Sequence, residues 1–98
     1  MTGATELAAG RIETIRQRLA AALLPTDMTV EDESHKHVGH AGARDGRGHF
    51  ALTIVSAAFE GRSAIERHRD VYAALGDLMQ TDIHALSMKA YAPSELSQ

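Results

Sequence analysis

The segment from residue 48 to residue 56 carries the clearest secondary-structure pattern in the sequence. Large apolar residues occupy one set of alternating positions, and Ala51, Thr53 and Val55 occupy the other. β-Branched residues fill its centre, and such residues favour the pleated backbone of a strand. The pattern therefore predicts a β-strand that directs one set of apolar side chains into the core: Phe50, Leu52 and Ile54.

Amphipathic helices are predicted both before and after this strand in the sequence. Between residues 11 and 23, apolar residues recur at offsets of three and four, and Pro25 prevents the helix from continuing. Further along, Ser63 and Glu66 form a capping-box pattern, which predicts a helix from about residue 63 to residue 79. Its apolar positions are predicted to be Ile65, His68, Tyr72, Leu75 and Met79.

Two further strands are predicted from alternating patterns. In the first of them, Met28 and Val30 face the helices. The second covers residues 83 to 91 and has Leu86 and Met88 on one face. His84 lies on that same face, at the beginning of the strand. The order helix, strand, strand, helix, strand predicts an α+β fold with a three-stranded sheet and both helices on one face. An antiparallel hairpin followed by a crossover makes this sheet mixed.

Composition narrows the classes of protein that this chain can be. A chain of 98 residues predicts one domain, residues 1–98, with an ordered core at about residues 11–92. The absence of cysteine excludes disulfides and thiolate metal sites, whereas six histidines are many for this length. With no apolar stretch long enough to span a membrane and no signal-peptide pattern, we expect a cytoplasmic protein.

Histidines are the candidate metal ligands. His35, His37 and His40 lie on a glycine-containing loop between the first two strands, where they could converge on one metal ion or simply form a solvated polar loop. His84 shares a strand face with apolar residues, which favours a buried histidine bonded to a backbone carbonyl. Its position at the end of a strand, however, would also let a partner reach a rigidly held ring.

The sequence contains no recognisable catalytic motif, and its cluster of arginines allows two interpretations. Neither a phosphate-binding glycine motif nor a nucleophile elbow occurs, so we expect no catalytic activity. The arginines near the second helix could attract phosphate, but nearby acids favour a solvated, salt-bridged helix face. The arginines are Arg62, Arg67 and Arg69, and the matching acids are Glu60, Glu66 and Asp70.

Several short motifs, taken in order, resemble the BolA family over roughly residues 12 to 95. They are Asp32-Glu33-Ser34, His37-Val38-Gly39-His40, Gly48-His49-Phe50, Arg67-His68-Arg69-Asp70-Val71-Tyr72 and Ile83-His84-Ala85-Leu86. The resemblance implies a fold similar to class II KH domains. It also implies a heterodimer with a monothiol glutaredoxin around a 2Fe–2S cluster, in iron–sulfur cluster assembly, trafficking or iron regulation.

The same resemblance implies which residues bind the cluster. The partner would supply a cysteine and a bound glutathione, while this chain would supply His84 and a loop histidine, with His37 ranked before His40. The isolated chain would carry no cofactor and would be a monomer or a weak homodimer. Neutral imidazole in place of thiolate raises the potential of a cluster, as in Rieske centres.

The family resemblance also supports an alternative function, a KH-like transcriptional regulator of stress and morphology genes. Its nucleic-acid contacts would be Arg62, Arg67 and Arg69. A KH domain clamps the backbone with a GXXG loop, but the corresponding turn here reads Phe59-Glu60-Gly61-Arg62. Because the net charge is also −3, we expect any DNA binding to be weak.

Overall fold

The computed structural model describes residues 3–33 and 48–96. Within these ranges no helix is both long enough and apolar enough to cross a membrane. Two short 3₁₀ turns, Ala57–Phe59 and Pro93–Leu96, supplement the helices and strands. The elements are α1 Gly3–Leu23, β1 Asp27–Asp32, β2 Gly48–Val55, α2 Ala64–Leu75, α3 Leu78–Thr81 and β3 Ile83–Tyr91.

The three strands form one mixed sheet with β2 in the centre. β1 pairs with β2 in antiparallel register from Asp27 opposite Val55 to Asp32 opposite Phe50. β3 runs parallel to β2 on its other side, and α2 and α3 form the crossover between them. The predicted α+β fold with a mixed three-stranded sheet is therefore confirmed.

The core lies between one face of this sheet and the helices. Its strand residues include the three predicted on β2, together with Val30 of β1. Leu86 and Met88 of β3 pack against the core but stay half-buried, although their shared strand face predicts that they are buried. Their strand lies at the edge of the sheet, where fewer neighbours cover it. The buried helix residues are Ile15, Leu19, Val71, Leu75 and Leu78.

α1 begins eight residues earlier than the sequence predicts and ends where predicted. Its extra residues include alanine, leucine and glutamate, which have high helix propensity but do not extend the apolar stripe that revealed the rest. At the other end, Leu24 adopts a left-handed backbone conformation with φ of 49° immediately before Pro25. A non-glycine residue in this region is uncommon, and here it ends the helix and turns the chain toward β1.

The second predicted helix is shorter than expected, and its predicted apolar face is correct at Leu75 and Met79 but wrong at its other three positions. Ser63 caps α2 and forms the predicted capping box with Glu66. The helix ends at Leu75 because Gly76 adopts a positive φ of 56°, and α3 follows as a separate short helix. The buried face consists of Arg67, Val71, Leu75 and Leu78. The predicted core residues Ile65, His68 and Tyr72 are all exposed.

Candidate metal centre

A β-bulge at the start of β3 determines where His84 lies. Gly48 pairs with Ile83, but the next residue of β2, His49, pairs with Ala85, so His84 is an extra residue on β3. In a regular strand, two residues that are three positions apart lie on opposite faces. Ile83 and Leu86 nevertheless face the same core, because the extra residue between them shifts the alternation by one. His84 itself is exposed. The predicted placement of His84 in a buried or half-buried position is therefore wrong, because the bulge interrupts the alternation.

His49 of the central strand lies beside His84. The two ring centroids are 5.0 Å apart and the ring planes are tilted by 48°. His49 is only 9% exposed, and both of its ring nitrogens are buried. Sequence reasoning included His49 in a family motif but gave it no role, because no local pattern indicates that a bulge brings the two histidines together. A cavity of about 130 Å³ adjoins His49, and its other lining residues are Glu33, Phe50, Ala85, Leu86 and Ser87.

The loop histidines His37 and His40 lie outside the described residues, as does His35. The described residues on either side of the loop are held at the same end of the sheet as His84. The backbone N–H of Glu33 donates to the carbonyl oxygen of His49 at 2.7 Å, and that of Gly48 donates to Asp82 at 2.9 Å. The chain therefore leaves β1 and enters β2 close to the two histidines.

The described part of the chain does not contain a complete set of metal ligands. Within residues 3–33 and 48–96, no group of three or more histidine or acidic side chains is arranged to hold a metal ion. The chain has no cysteine, whereas 2Fe–2S clusters are bound mainly by thiolates. His84 offers an exposed imidazole at this end of the sheet.

The three arginines predicted for nucleic-acid contact lie in different environments. Arg62 forms a two-pronged ion pair with Asp70, with nitrogen–oxygen distances of 3.0 and 2.7 Å, and this raises the pKa of Arg62. Arg69 is exposed. Arg67 is buried, so its predicted position on a solvated helix face is wrong. A cavity of about 370 Å³ beside α2 is lined in part by Arg62 and Arg67.

Arg67 connects α2 to the C-terminal turn. Its guanidinium donates to both carboxylate oxygens of Glu95 at 2.7 Å, and also to the carbonyl oxygens of Arg62 and Ala90. Glu95 in addition accepts the backbone N–H of Ala92 at 2.9 Å. These contacts compensate for burying the charge of Arg67, so its guanidinium is engaged in holding the fold together.

The Arg67 pair predicts an acid-dependent component of stability. The hydrogen bonds from Arg67 and Ala92 lower the pKa of Glu95 from about 4.5 to about 2. Because the pKa is lower in the folded state, the pair stabilises the protein above about pH 4.5, and this stabilisation is lost as the pH falls toward 2. Glu95→Gln should therefore be less stable than the wild type at pH 7, and the difference should shrink below pH 4.5. Urea unfolding of both proteins at pH 7, 4.5 and 3 measures it, and a difference independent of pH would contradict the assignment.

Comparison with known proteins identifies the family. Residues 19–95 match the model of the family described as BolA-like protein. The chain is 45% identical over 87 residues to SufE-like protein 1, chloroplastic/mitochondrial, of Arabidopsis thaliana, covering 84% of this chain but only 24% of that protein. It is 36% identical over 83 residues to the DNA-binding transcriptional regulator BolA of Escherichia coli, covering 85% of this chain and 76% of that protein.

Solved structures agree with this assignment. The BolA domain of SufE1 from Arabidopsis thaliana superimposes with a TM-score of 0.78 at 43% identity, covering 88% of this chain and 95% of that domain. On the sequence match over most of the chain and the matching fold, this chain belongs to the BolA-like protein family.

Proposed function

We propose that this chain is a non-catalytic adaptor that forms a heterodimer with a monothiol glutaredoxin and shares a 2Fe–2S cluster with it. The observation that carries the proposal is the exposed position of His84, which is the extra residue of a bulge immediately after the buried Ile83. In this proposal the chain works in the cytoplasm in cluster assembly, cluster trafficking or iron regulation.

The number of available ligands supports a shared cluster rather than one held by this chain alone. A 2Fe–2S cluster needs four ligands, and the described residues offer one exposed imidazole at the histidine pair. The glutaredoxin would contribute its active-site cysteine and a bound glutathione, leaving one position for a loop histidine. His37 is the first candidate for that position and His40 the second, as the family resemblance implies from the spacing after Asp32-Glu33-Ser34. The described residues that flank the loop lie beside the histidine pair, which is consistent with a loop ligand.

The test is anaerobic cluster reconstitution with a monothiol glutaredoxin and glutathione. The chain alone should acquire no stable visible absorption, whereas the mixture should form a coloured species that elutes at the size of a heterodimer. Reconstitution of the glutaredoxin alone is the control, because a spectral change on adding the chain shows that the ligands have changed. An identical spectrum and elution volume with and without the chain would refute the proposal.

DNA binding is the second candidate function, supported by the relative described as a DNA-binding transcriptional regulator. Two observations weaken it for this chain. The net charge is −3, and the guanidinium groups of Arg62 and Arg67 are engaged with carboxylates. Arg69 is exposed, and no ion pair to a carboxylate is seen for it among the described residues.

We expect DNA binding to be weak and steeply dependent on salt. Non-specific complexes have dissociation constants on the order of 10⁻⁴ to 10⁻⁶ M at physiological salt. Fluorescence anisotropy of labelled duplexes at several salt concentrations measures the affinity. Sub-micromolar binding with sequence preference at physiological salt would favour the regulator over the adaptor.

A further inference from the structure

We infer that His49 is a positioning residue that fixes the orientation of the His84 ring before any cluster arrives. The part of this inference that concerns the cluster rests on the proposed function. The part that concerns the ring of His84 applies to the isolated chain. The two parts can therefore be tested separately.

The burial of His49 argues against a direct role as ligand. Both ring nitrogens are buried, and the whole residue is only 9% exposed. A metal held by another protein could reach them only after the side chain had left its place. The ring of His84, by contrast, belongs to an exposed residue. The two histidines therefore have different roles. A partner can reach the ring of His84, whereas the buried ring of His49 lies against it and limits its orientation.

The backbone of His49 is suited to this supporting role. It lies on β2, the central strand, where it pairs with Ala85 on one side. Its carbonyl oxygen accepts the N–H of Glu33 from the other side. A residue that is paired with β3 on one side and hydrogen-bonded to the residue that follows β1 on the other has little freedom to move, so its buried ring offers a fixed surface.

His84 needs such a surface because of the bulge. It is the extra residue on an edge strand and stands outside the regular pairing of β2 with β3, so the pleat alone does not set the direction of its side chain. The separation of 5.0 Å and the tilt of 48° lie in the range in which ring pairs attract each other. Contact with His49 excludes rotamers that would otherwise have to be given up when a ligand binds.

The first test uses the isolated chain. Selectively labelled His84 should show, by NMR side-chain couplings, one dominant χ1 rotamer in the wild type and rotamer averaging in His49→Ala. His49→Phe keeps an aromatic ring and should restore the single rotamer. Thr53→Ala, four residues along the same strand, is the matched control and should leave His84 unchanged. Circular dichroism verifies that each variant is folded. A single His84 rotamer in folded His49→Ala, or averaging in folded His49→Phe, would overturn the inference.

The second test uses the heterodimer with glutaredoxin. In His49→Ala, binding the cluster must again order the side chain of His84, which weakens the complex. This variant should therefore release the cluster about three- to tenfold faster than the wild type, and His49→Phe should recover most of the loss. Complete loss of the cluster in both variants with an ordered His84 ring would show that His49 is itself a ligand, which overturns the positioning role. If even the wild type binds no cluster, the proposed function fails, while the NMR experiment still decides whether His49 orients His84.

Discussion

Replacing His84 by alanine is expected to abolish the 2Fe–2S cluster that we propose this chain shares with a glutaredoxin. No other residue of the bulge can take its place, because Ile83 is buried in the core and Ala85 has no ligand atom. A cluster that has lost one of four protein or glutathione ligands must recruit solvent instead. The visible spectrum of the reconstituted mixture should therefore become the same as that of glutaredoxin reconstituted alone.

The fold should survive this change. His84 is exposed, and exposed substitutions usually alter the free energy of unfolding by less than about 0.5 kcal/mol. Ser87→Ala, an exposed change on the same strand, is the matched control and should retain the cluster. Unchanged absorption in folded His84→Ala would exclude this residue as a ligand.

Replacing His37 by alanine should have a smaller effect on the same spectrum. His35 and His40 are close in sequence, and either could replace it at the entropic cost of ordering loop residues, about 1 to 2 kcal/mol for each residue fixed. The cluster should be looser in the single variant and lost when all three loop histidines are replaced. An equal collapse in His37→Ala alone would show that the loop presents one dedicated ligand.

The sequence was sufficient to predict the elements and their order because these follow from local patterns. The alternating positions of β2 and the capping box at Ser63 each lie within a few neighbouring residues. The end of α1 before Pro25 is equally local. Once element types and lengths are known, the short connections and the crossover leave few possible arrangements of the sheet.

The position of His84 could not be predicted in the same way. Reading every second residue places it on the inner face with Leu86, but the bulge inserts an extra residue between Ile83 and Ala85. Such an irregularity depends on pairing with a strand more than thirty residues away in the sequence. The neighbouring His49 was overlooked for the same reason, because the contact between the two rings exists only in the paired sheet.

The buried face of α2 was misjudged because two helical stripes are almost equally plausible in the sequence. One runs through Ile65 and Tyr72, and the other runs through Arg67 and Val71, with Leu75 compatible with both. Hydrophobicity alone favours the first stripe, since the second contains an arginine. Glu95 reverses this preference, because its carboxylate pairs with the buried guanidinium from a turn beyond β3.

With this orientation of α2, truncating a side chain should reduce the free energy of unfolding by very different amounts at two positions of the helix. Leu75 is completely buried in the core, whereas Ile65 is 59% exposed. Leu75→Ala should destabilise the protein by about 2 to 5 kcal/mol, because it removes buried apolar atoms and leaves a cavity. Ile65→Ala should change stability by less than about 1 kcal/mol, since little burial is lost and alanine favours the helix. Urea unfolding of both variants, followed by circular dichroism, measures the difference.

The two variants can be compared directly, because each removes a branched aliphatic side chain from the same helix. Effects on helix propensity are small beside the predicted loss at Leu75, so the contrast reports which side of α2 faces the sheet. Tyr72→Ala provides a third point, since Tyr72 is 41% exposed and should lose less stability than Leu75→Ala despite its larger side chain. A loss at Ile65 or Tyr72 that equals the loss at Leu75 would mean that the helix is rotated toward the stripe that hydrophobicity alone predicts. The orientation that buries Arg67 would then be wrong.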